Sequence, residues 1–401
     1  MSGGTLRALP PDGRLLLLTR FTRLFAYGAL SVVLVLYLTG LGIGTRQIGV
    51  LLTLTLVGDT VVSLWLSTRA DRIGRRRMLI LGATLMAAAG IAFALTRNFL
   101  VLLIAGTIGV ISPSGNEVGP FLPIEQAALA HVVPSDRRTS VFAWYTLTGA
   151  FATALGSLGA GVLSHTLHYR GVIVLYAALG IALALAFTRL STAAEVPAPQ
   201  TSALFGLGRS RLVVLRLAAL FALDSFAGGF VVQSFAAYWF YLRFGVEPAT
   251  LGAIFFGANL LAGISALVAS RLAARFGLIR TMVFTHLPSN VLLILVPLMP
   301  NLPLAVAALF ARFSISQMDV PTRQSYLMAV VSPEERSAAG GITGVARTLG
   351  AGLAPIFAGL LFSQPSLISV PFFIAGALKI VYDLLLYRGF VAHSPDAPSP
   401  A

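Results

Sequence analysis

The sequence predicts an all-α membrane protein with twelve transmembrane helices, in two six-helix bundles related by a parallel pseudo-two-fold repeat. Three observations carry this reading. The 401 residues are 57% hydrophobic and only 10% charged, and the mean hydropathy is +0.88. A water-soluble chain carries roughly 25% charged residues, so this much apolar surface needs lipid around it. About twelve apolar segments follow one another along the chain, each near the roughly 20 residues a spanning helix needs. The second half of the chain also matches the first.

The segments fall near residues 22–41, 48–68, 78–96, 99–130, 139–164, 171–188, 217–242, 249–269, 282–299, 303–330, 337–363 and 371–388. Turns rich in Gly, Pro and Arg separate them, as in TGLGIGTRQIG and PNLP. MSGGTLRALPPDGR is a polar lead-in, and the first apolar run reads as a retained span rather than a cleaved signal. A net charge of +14 suggests nucleic acid in a soluble protein, but the placement of the charges explains it otherwise. With the amino terminus inside, eighteen of the 28 basic residues lie in the even-numbered loops and tails, against four (Arg46, Arg97, Arg170 and Arg243) on the opposite side. That bias predicts a multi-pass protein of the cell membrane, of bacterial inner-membrane type, with both termini in the cytoplasm.

The stretch Ser191 to Arg216 is rich in Pro, Gly and Ser and reads as a cytoplasmic linker. It divides the chain into an amino-terminal bundle (1–190), the linker (191–216) and a carboxy-terminal bundle (217–401). The halves resemble each other. VVPSDRRTSVFAWYTLTGAFATALGSLGAGVL from Val132 aligns without a gap to VVSPEERSAAGGITGVARTLGAGLAPIFAGLL from Val330. STRADRIGRRR from Ser67 matches SRLAARFGLIR from Ser270, pairing Arg72 with Arg275, Gly74 with Gly277 and Arg77 with Arg280. Parallel repeats of this kind build transporters.

DRIGRRR, from Asp71 to Arg77, resembles the conserved loop after the second span of the major facilitator superfamily, G-x-L-A-D-R-x-G-R-R/K. Ser67 stands where that family has Gly, and Arg69 where it has Leu. The resemblance covers nearly the whole chain. It implies alternating access around a site between the bundles, and a cytoplasmic latch formed here by Asp71, Arg72, Gly74, Arg75 and Arg76. The family's antiporter motif, G-x-x-x-G-P-x-x-G-G, is partly present as ALGSLGAG, with Ser157 at the proline position and Pro355 as its counterpart in the second half. Glycines there also serve close helix packing.

The stretch GNEVGPFLPIEQAAL, Gly115 to Leu129, interrupts the fourth span with two acids and two prolines. Its counterpart is MDVPTRQSYL, Met318 to Leu327, in the tenth. Glu117 is paired there with Asp319, and Glu125 with Arg323. Interrupted spans at corresponding places in two repeats point to a transport path, and the carbonyls freed by proline must face a cavity or find another partner. Along a straight helix from Phe99, Glu117 lies roughly 27 Å in and Glu125 roughly 39 Å, which places Glu125 at the cytoplasmic mouth. Glu117 and Asp319 are therefore candidate substrate or proton sites. Glu125 and Arg323 are expected to form a gate, with an ion pair from Glu125 to Arg323 or Arg347 joining the bundles when it closes.

Charged groups inside spans are functional candidates. Asp59, near the middle of the second span, and Asp224 and Arg347 join the substrate or proton set, although Asp224 near a span start also fits an interfacial or capping role. Arg312 is a further intramembrane charge. Lys379 and Asp383, four apart, read as a pair on one helix face. Tyr27, Tyr37, Trp144, Tyr145, Gln233, Tyr238 and Trp239 are candidates for lining an amphipathic cavity.

No nucleotide-binding G-x-x-x-x-G-K-[ST] occurs, and no nucleophile–base or metal constellation points to an enzyme. With no cysteine and five scattered histidines, no metal or cofactor is expected. The expected function is secondary active transport of a small molecule by a monomer in the lipid bilayer, coupled to protons and directed outward, toward export of a drug or metabolite. Solute uptake by symport, an uncoupled facilitator and a transporter-like receptor are the alternatives.

Overall fold

Fourteen α-helices, and no strand, occur among the described residues, which are 9–134, 138–195, 210–332 and 335–390 of a computed structural model. They are α1 (Pro11–Gly40), α2 (Thr45–Ile73), α3 (Arg75–Leu95), α4 (Phe99–Ile108), α5 (Phe121–Val132), α6 (Arg138–Phe187) and α7 (Arg211–Gly229), followed by α8 (Gln233–Phe244), α9 (Pro248–Phe276), α10 (Leu278–Leu295), α11 (Leu302–Ser316), α12 (Asp319–Val330), α13 (Arg336–Phe362) and α14 (Val370–Phe390). Nine stretches among the described residues are long and apolar enough to cross a membrane. The remaining passes are split or fused. α6 breaks at His168, whose φ is 57°, and supplies the fifth and sixth. α4 with α5, and α11 with α12, supply the fourth and tenth, which accommodates twelve passes.

The first helix differs from expectation. It starts at Pro11, suited to a first helical position by its fixed φ, and not near residue 22. The run RLLLLTRFTRLF looks too basic to enter a bilayer, but Arg20 and Arg23 are buried because carboxylates inside the fold meet them.

Contacts gather the chain into two compact units, Met1–Gln200 with Gln233–Phe256, and Thr201–Val232 with Gly257–Ala401. In the first, α1 lies along α6 with backbones touching. A Cβ on Gly28 would sit 2.2 Å from the Thr153 carbonyl oxygen, and one on Gly156 would sit 2.0 Å from that of Phe25. In the second, α7 meets α13 in the same way, with Gly229 against Ala351 and Gly350 against Ala222, each 2.4 Å from the facing carbonyl oxygen. Small residues allow this approach where lipid offers helices no hydrophobic drive to associate. Val214, Leu217, Phe221, Met282, Tyr326 and Tyr382 form the second unit's core.

The internal repeat is visible helix by helix. α6 and α13 start at the aligned Arg138 and Arg336. Gly74 and Gly277 both adopt positive φ, 113° and 83°, at the turns after α2 and α9, where a Cβ would be strained. Asn98 and Asn301 cap α4 and α11 by accepting backbone N–H groups through their side chains. α5 and α12 are both 12 residues long, with Pro123 and Pro321, and Glu125 and Arg323, in matching positions. Glu117 and Asp319 do not match in this way. Asp319 opens α12, whereas Glu117 lies in the irregular stretch 109–120 before α5.

Candidate functional site

The break in the fourth pass exposes backbone groups that a helix would have paired, and neighbouring side chains satisfy them. The Tyr176 hydroxyl donates to the Val110 carbonyl at 2.6 Å, Ser112 to Asn116 at 2.7 Å, and Tyr27 to Val118 at 3.3 Å. Ser234 donates to the Pro113 carbonyl at 2.6 Å. Asp59 of α2 accepts the Gly119 N–H at 2.7 Å. Val110, Gly115 and Gly119 take positive φ, which bends the chain so that Glu117 is carried toward α1.

There Glu117 meets two arginines. Arg20 Nη1 is 2.7 Å from one of its oxygens and Arg23 Nε 2.8 Å from the other. Arg23 continues to Glu125 through a two-point pair, at 2.8 Å from Nη1 and 2.9 Å from Nη2. Glu125 also accepts the Tyr145 hydroxyl at 2.5 Å and the Thr19 hydroxyl at 3.1 Å. Arg20 lies 3.9 Å over the Tyr145 ring and donates to the Tyr145 carbonyl at 2.7 Å. Two arginines and two glutamates thus balance in a network where the Arg23 and Glu125 side chains are both 0% exposed. Glu125 is accordingly not at a wet mouth. Its partner is Arg23, within its own unit, because a buried carboxylate needs a local countercharge.

Asp59 lies outside that balance. It is buried, it accepts from Gly119 and, at 3.5 Å, from Ser63, and no cation pairs with it among the described residues. A buried acid without a countercharge is an expensive placement in a membrane interior.

The second unit builds its own charged site. Asp224, which is buried on α7 rather than interfacial, takes Lys379 Nζ at 2.5 Å and Arg323 Nη1 at 3.1 Å. Arg323 also reaches Asp319 at 3.4 Å. These contacts replace the expected pairs. Arg323 is engaged by acids of its own unit. Lys379 crosses to Asp224 instead of Asp383, since α14 points it at a neighbouring helix. Asp383 is held by His286 Nδ1 and Asn290 Nδ2, each at 2.9 Å. Arg312 and Arg347 form no ion pair among the described residues, and the Nε of each is buried without a hydrogen-bond partner.

The remaining expected residues are dispersed. Arg75 and Arg76 direct their backbone N–H groups to the Glu195 carboxylate, at 2.7 and 3.0 Å, at the start of α3. Arg72 is exposed, and Gly74 lies under Glu195. The Asp71 side chain lies outside the described residues. Tyr37 donates to the Phe93 carbonyl at 2.5 Å, and Trp239 is buried against the rings of Phe240 and Phe244. Gln233 donates to Ser31 and Ser157, at 2.8 and 3.3 Å. Trp144 is half-buried, with its indole N–H unmatched, and Tyr238 is half-buried and stacked on Tyr241. Sequence reasoning missed Arg20, Arg23, Glu195, His286 and Asn290. The signal for the first two was a pair of arginines three apart in an apolar run; for His286 and Asn290 it was two polar residues four apart in a span.

Comparison with known proteins gives a consistent result. The sequence model of the Major Facilitator Superfamily matches residues 16–311 and 217–401. An uncharacterized membrane protein of Saccharomyces cerevisiae, YJR124C, is 30% identical over 417 residues, covering 94% of this chain and 93% of its own length. The quinolone resistance protein NorA of Staphylococcus aureus is 27% identical over 117 residues, 29% of each chain. Among solved structures, the nucleoside transporter NupG superposes with a TM-score of 0.75 at 16% identity, covering 95% of this chain and 99% of its own. A bacterial homolog of the human lysosomal transporter Spinster, inward-facing and occupied, gives 0.72 at 16% identity, with 97% and 98% covered. The human organic anion transporter MFSD10 gives 0.62 at 16% identity, with 94% and 100% covered.

Proposed function

The chain belongs to the major facilitator superfamily, and from that premise we propose that it is a secondary active transporter moving a small solute by alternating access, with protons as the coupling ion. The observation that carries the coupling is Asp59, a buried acid in the second pass with hydrogen bonds but no cation among the described residues. Such a group is suited to exchange a proton as its access to water changes. The hydrogen bond from Gly119 ties Asp59 to the irregular stretch that also carries Glu117, two residues earlier in the chain. A change at Asp59 is thereby transmitted to the Arg20–Glu117–Arg23 network. Glu125 and Arg323 serve to hold α5 and α12 in place within their own units.

The proposed halves are 1–190 and 217–401 around a cytoplasmic linker, in a monomer with both termini in the cytoplasm. Export is the proposed direction, supported by the partial similarity to a quinolone resistance protein. Untargeted metabolite comparison of an expressing and a deletion strain identifies the solute. Its flux is then followed in proteoliposomes under an imposed pH gradient. The expected result is gradient-driven accumulation by the native protein, lost in Asp59→Asn while solute exchange persists. Accumulation indifferent to the gradient would replace the proton-coupled carrier with a facilitator.

A further inference from the structure

The geometry points to His286 as a second proton-binding site of the carrier, set between Asp383 and Asp224 in the second unit. Its use in transport rests on the proton-coupled reading above; its existence as a site does not. His286 lies on α10 and is buried, and each of its ring nitrogens faces a carboxylate from a different helix. Nδ1 is 2.9 Å from Asp383 of α14, and Nε2 is 3.7 Å from Asp224 of α7. Asp383 is buried in turn, and His286 is its one ion-pair partner among the described residues.

A nitrogen and an oxygen at hydrogen-bond distance in a buried site share a hydrogen, so a proton lies between His286 and Asp383. Asn290 steadies this contact, with Nδ2 at 2.9 Å from Asp383 and 3.2 Å from the ring Nδ1. The other nitrogen makes the ring a binding site rather than a strut. A neutral imidazole with its hydrogen on Nδ1 presents a lone pair at Nε2, and that lone pair faces the Asp224 carboxylate. A second proton turns Nε2 into a donor and places a positive ring between two acids. Both states keep the Asp383 contact, so the proton comes and goes without loss of the local fold. They differ in their pull on Asp224. With the proton bound, His286 competes for Asp224 with Lys379, at 2.5 Å, and Arg323, at 3.1 Å. Without it, Lys379 and Arg323 hold Asp224. Proton occupancy is thereby passed from α10 to α7, and through Arg323 to Asp319 at the start of α12. The remaining ionisable groups around the site are Tyr382, whose ring stands edge-on to His286 at 5.9 Å, and Arg312 and Arg347, whose charges act on Asp224.

The test is nuclear magnetic resonance of the full-length protein in lipid nanodiscs, with isotope-labelled histidine. The other four histidines, His131, His165, His168 and His393, are replaced by asparagine, so that every ring signal belongs to His286. Asparagine tolerates the positive φ at position 168. The probe is the proton, titrated from about pH 4.5 to about pH 9.5, on both sides of the ordinary histidine range. The expected ring carries hydrogens on both nitrogens at the acid end and on Nδ1 alone at the alkaline end. Lys379→Met frees Asp224 for the ring and should tighten proton binding roughly tenfold, an upward shift of about one pH unit. The assignment is overturned by a ring that keeps one form throughout, by an alkaline form with its hydrogen on Nε2, or by a Lys379→Met titration identical to the native one. A buried histidine that only ties α10 to α14 gives the first of these. Neither solute nor gradient is present, so gradient-independent flux would sink the coupling and leave the proton site standing. A ring of fixed form would remove the site and leave Asp59 as the coupling residue.

Discussion

Arg23 and Glu125 form a two-point ion pair, at 2.8 and 2.9 Å, with neither side chain exposed. Removing one partner of such a pair strands the other in a medium that cannot solvate it, at about 3–5 kcal/mol, whereas replacing both with apolar groups is often nearly neutral. The network around the pair moderates this, because Glu117 also binds Arg23 at 2.8 Å and would retain it if Glu125 were lost.

The first prediction follows from that asymmetry. Arg23→Met should lower thermal stability more than Glu125→Gln does, since it leaves Glu125 with hydroxyl donors alone. Arg23→Met with Glu125→Leu should be more stable than Arg23→Met. Unfolding of the detergent-solubilised protein measures all three, and additive losses in the double variant would show that the two residues act independently.

Asp59 offers a sharper separation between fold and function. Its structural task is to accept the Gly119 N–H at 2.7 Å, which an amide oxygen can perform equally well. Asp59→Asn should therefore leave Tm nearly unchanged. Asp59→Leu leaves that N–H buried without an acceptor and should cost about 1–3 kcal/mol. Hydrogen exchange at residues 109–120 should rise in the leucine variant only. A large loss of stability in Asp59→Asn would mean that the charge itself holds the fold.

Glycine substitution separates close packing from open helix surface. A Cβ at Gly156 would meet the Phe25 carbonyl oxygen at 2.0 Å, and this is backbone, which cannot swing aside; a Cβ at Gly341 meets nothing within 4 Å. Gly156→Ala should separate α1 from α6 and lower Tm by several degrees. Gly341→Ala, in the helical run of α13, should raise stability by roughly 0.5–1 kcal/mol through reduced backbone freedom. A neutral Gly156→Ala would show that α1 and α6 do not pack as closely as described.

These residues also show what a sequence can and cannot disclose here. The passes were legible because lipid demands long apolar runs, and the repeat was legible because its turns need particular residues, such as Gly74 and Gly277. The interruption of the fourth and tenth passes was equally plain from the prolines and acids. Partner choice was not legible. Glu125 and Arg323 stand at equivalent positions, which invited a bridge between them, but a buried charge is matched by whatever lies within about 3 Å. That depends on how α1 and α7 are rotated. Nor did local spacing reveal Lys379: its four-residue distance from Asp383 fits a helix-surface pair, worth only about 0.2–0.5 kcal/mol on an isolated helix, and a buried acid on α7 outweighs that.

The Lys379–Asp224 contact, at 2.5 Å, gives the last prediction. Asp224 receives two cations, with Arg323 at 3.1 Å, so the two ends of the pair are not equivalent. Lys379→Met removes one cation and leaves Asp224 matched by Arg323; the loss of stability should be small. Asp224→Asn strands the Lys379 ammonium and leaves Arg323 with Asp319, at 3.4 Å, as its one ion-pair partner among the described residues. That loss should approach the 3–5 kcal/mol of a broken buried pair. Adding Lys379→Met to Asp224→Asn should recover part of it, because it removes the stranded ammonium. Thermal unfolding of the three variants decides the matter. If Lys379→Met is the most damaging and the double variant is worse than either single change, then Lys379 is held by something other than Asp224, and the charge balance around α7 has to be redrawn.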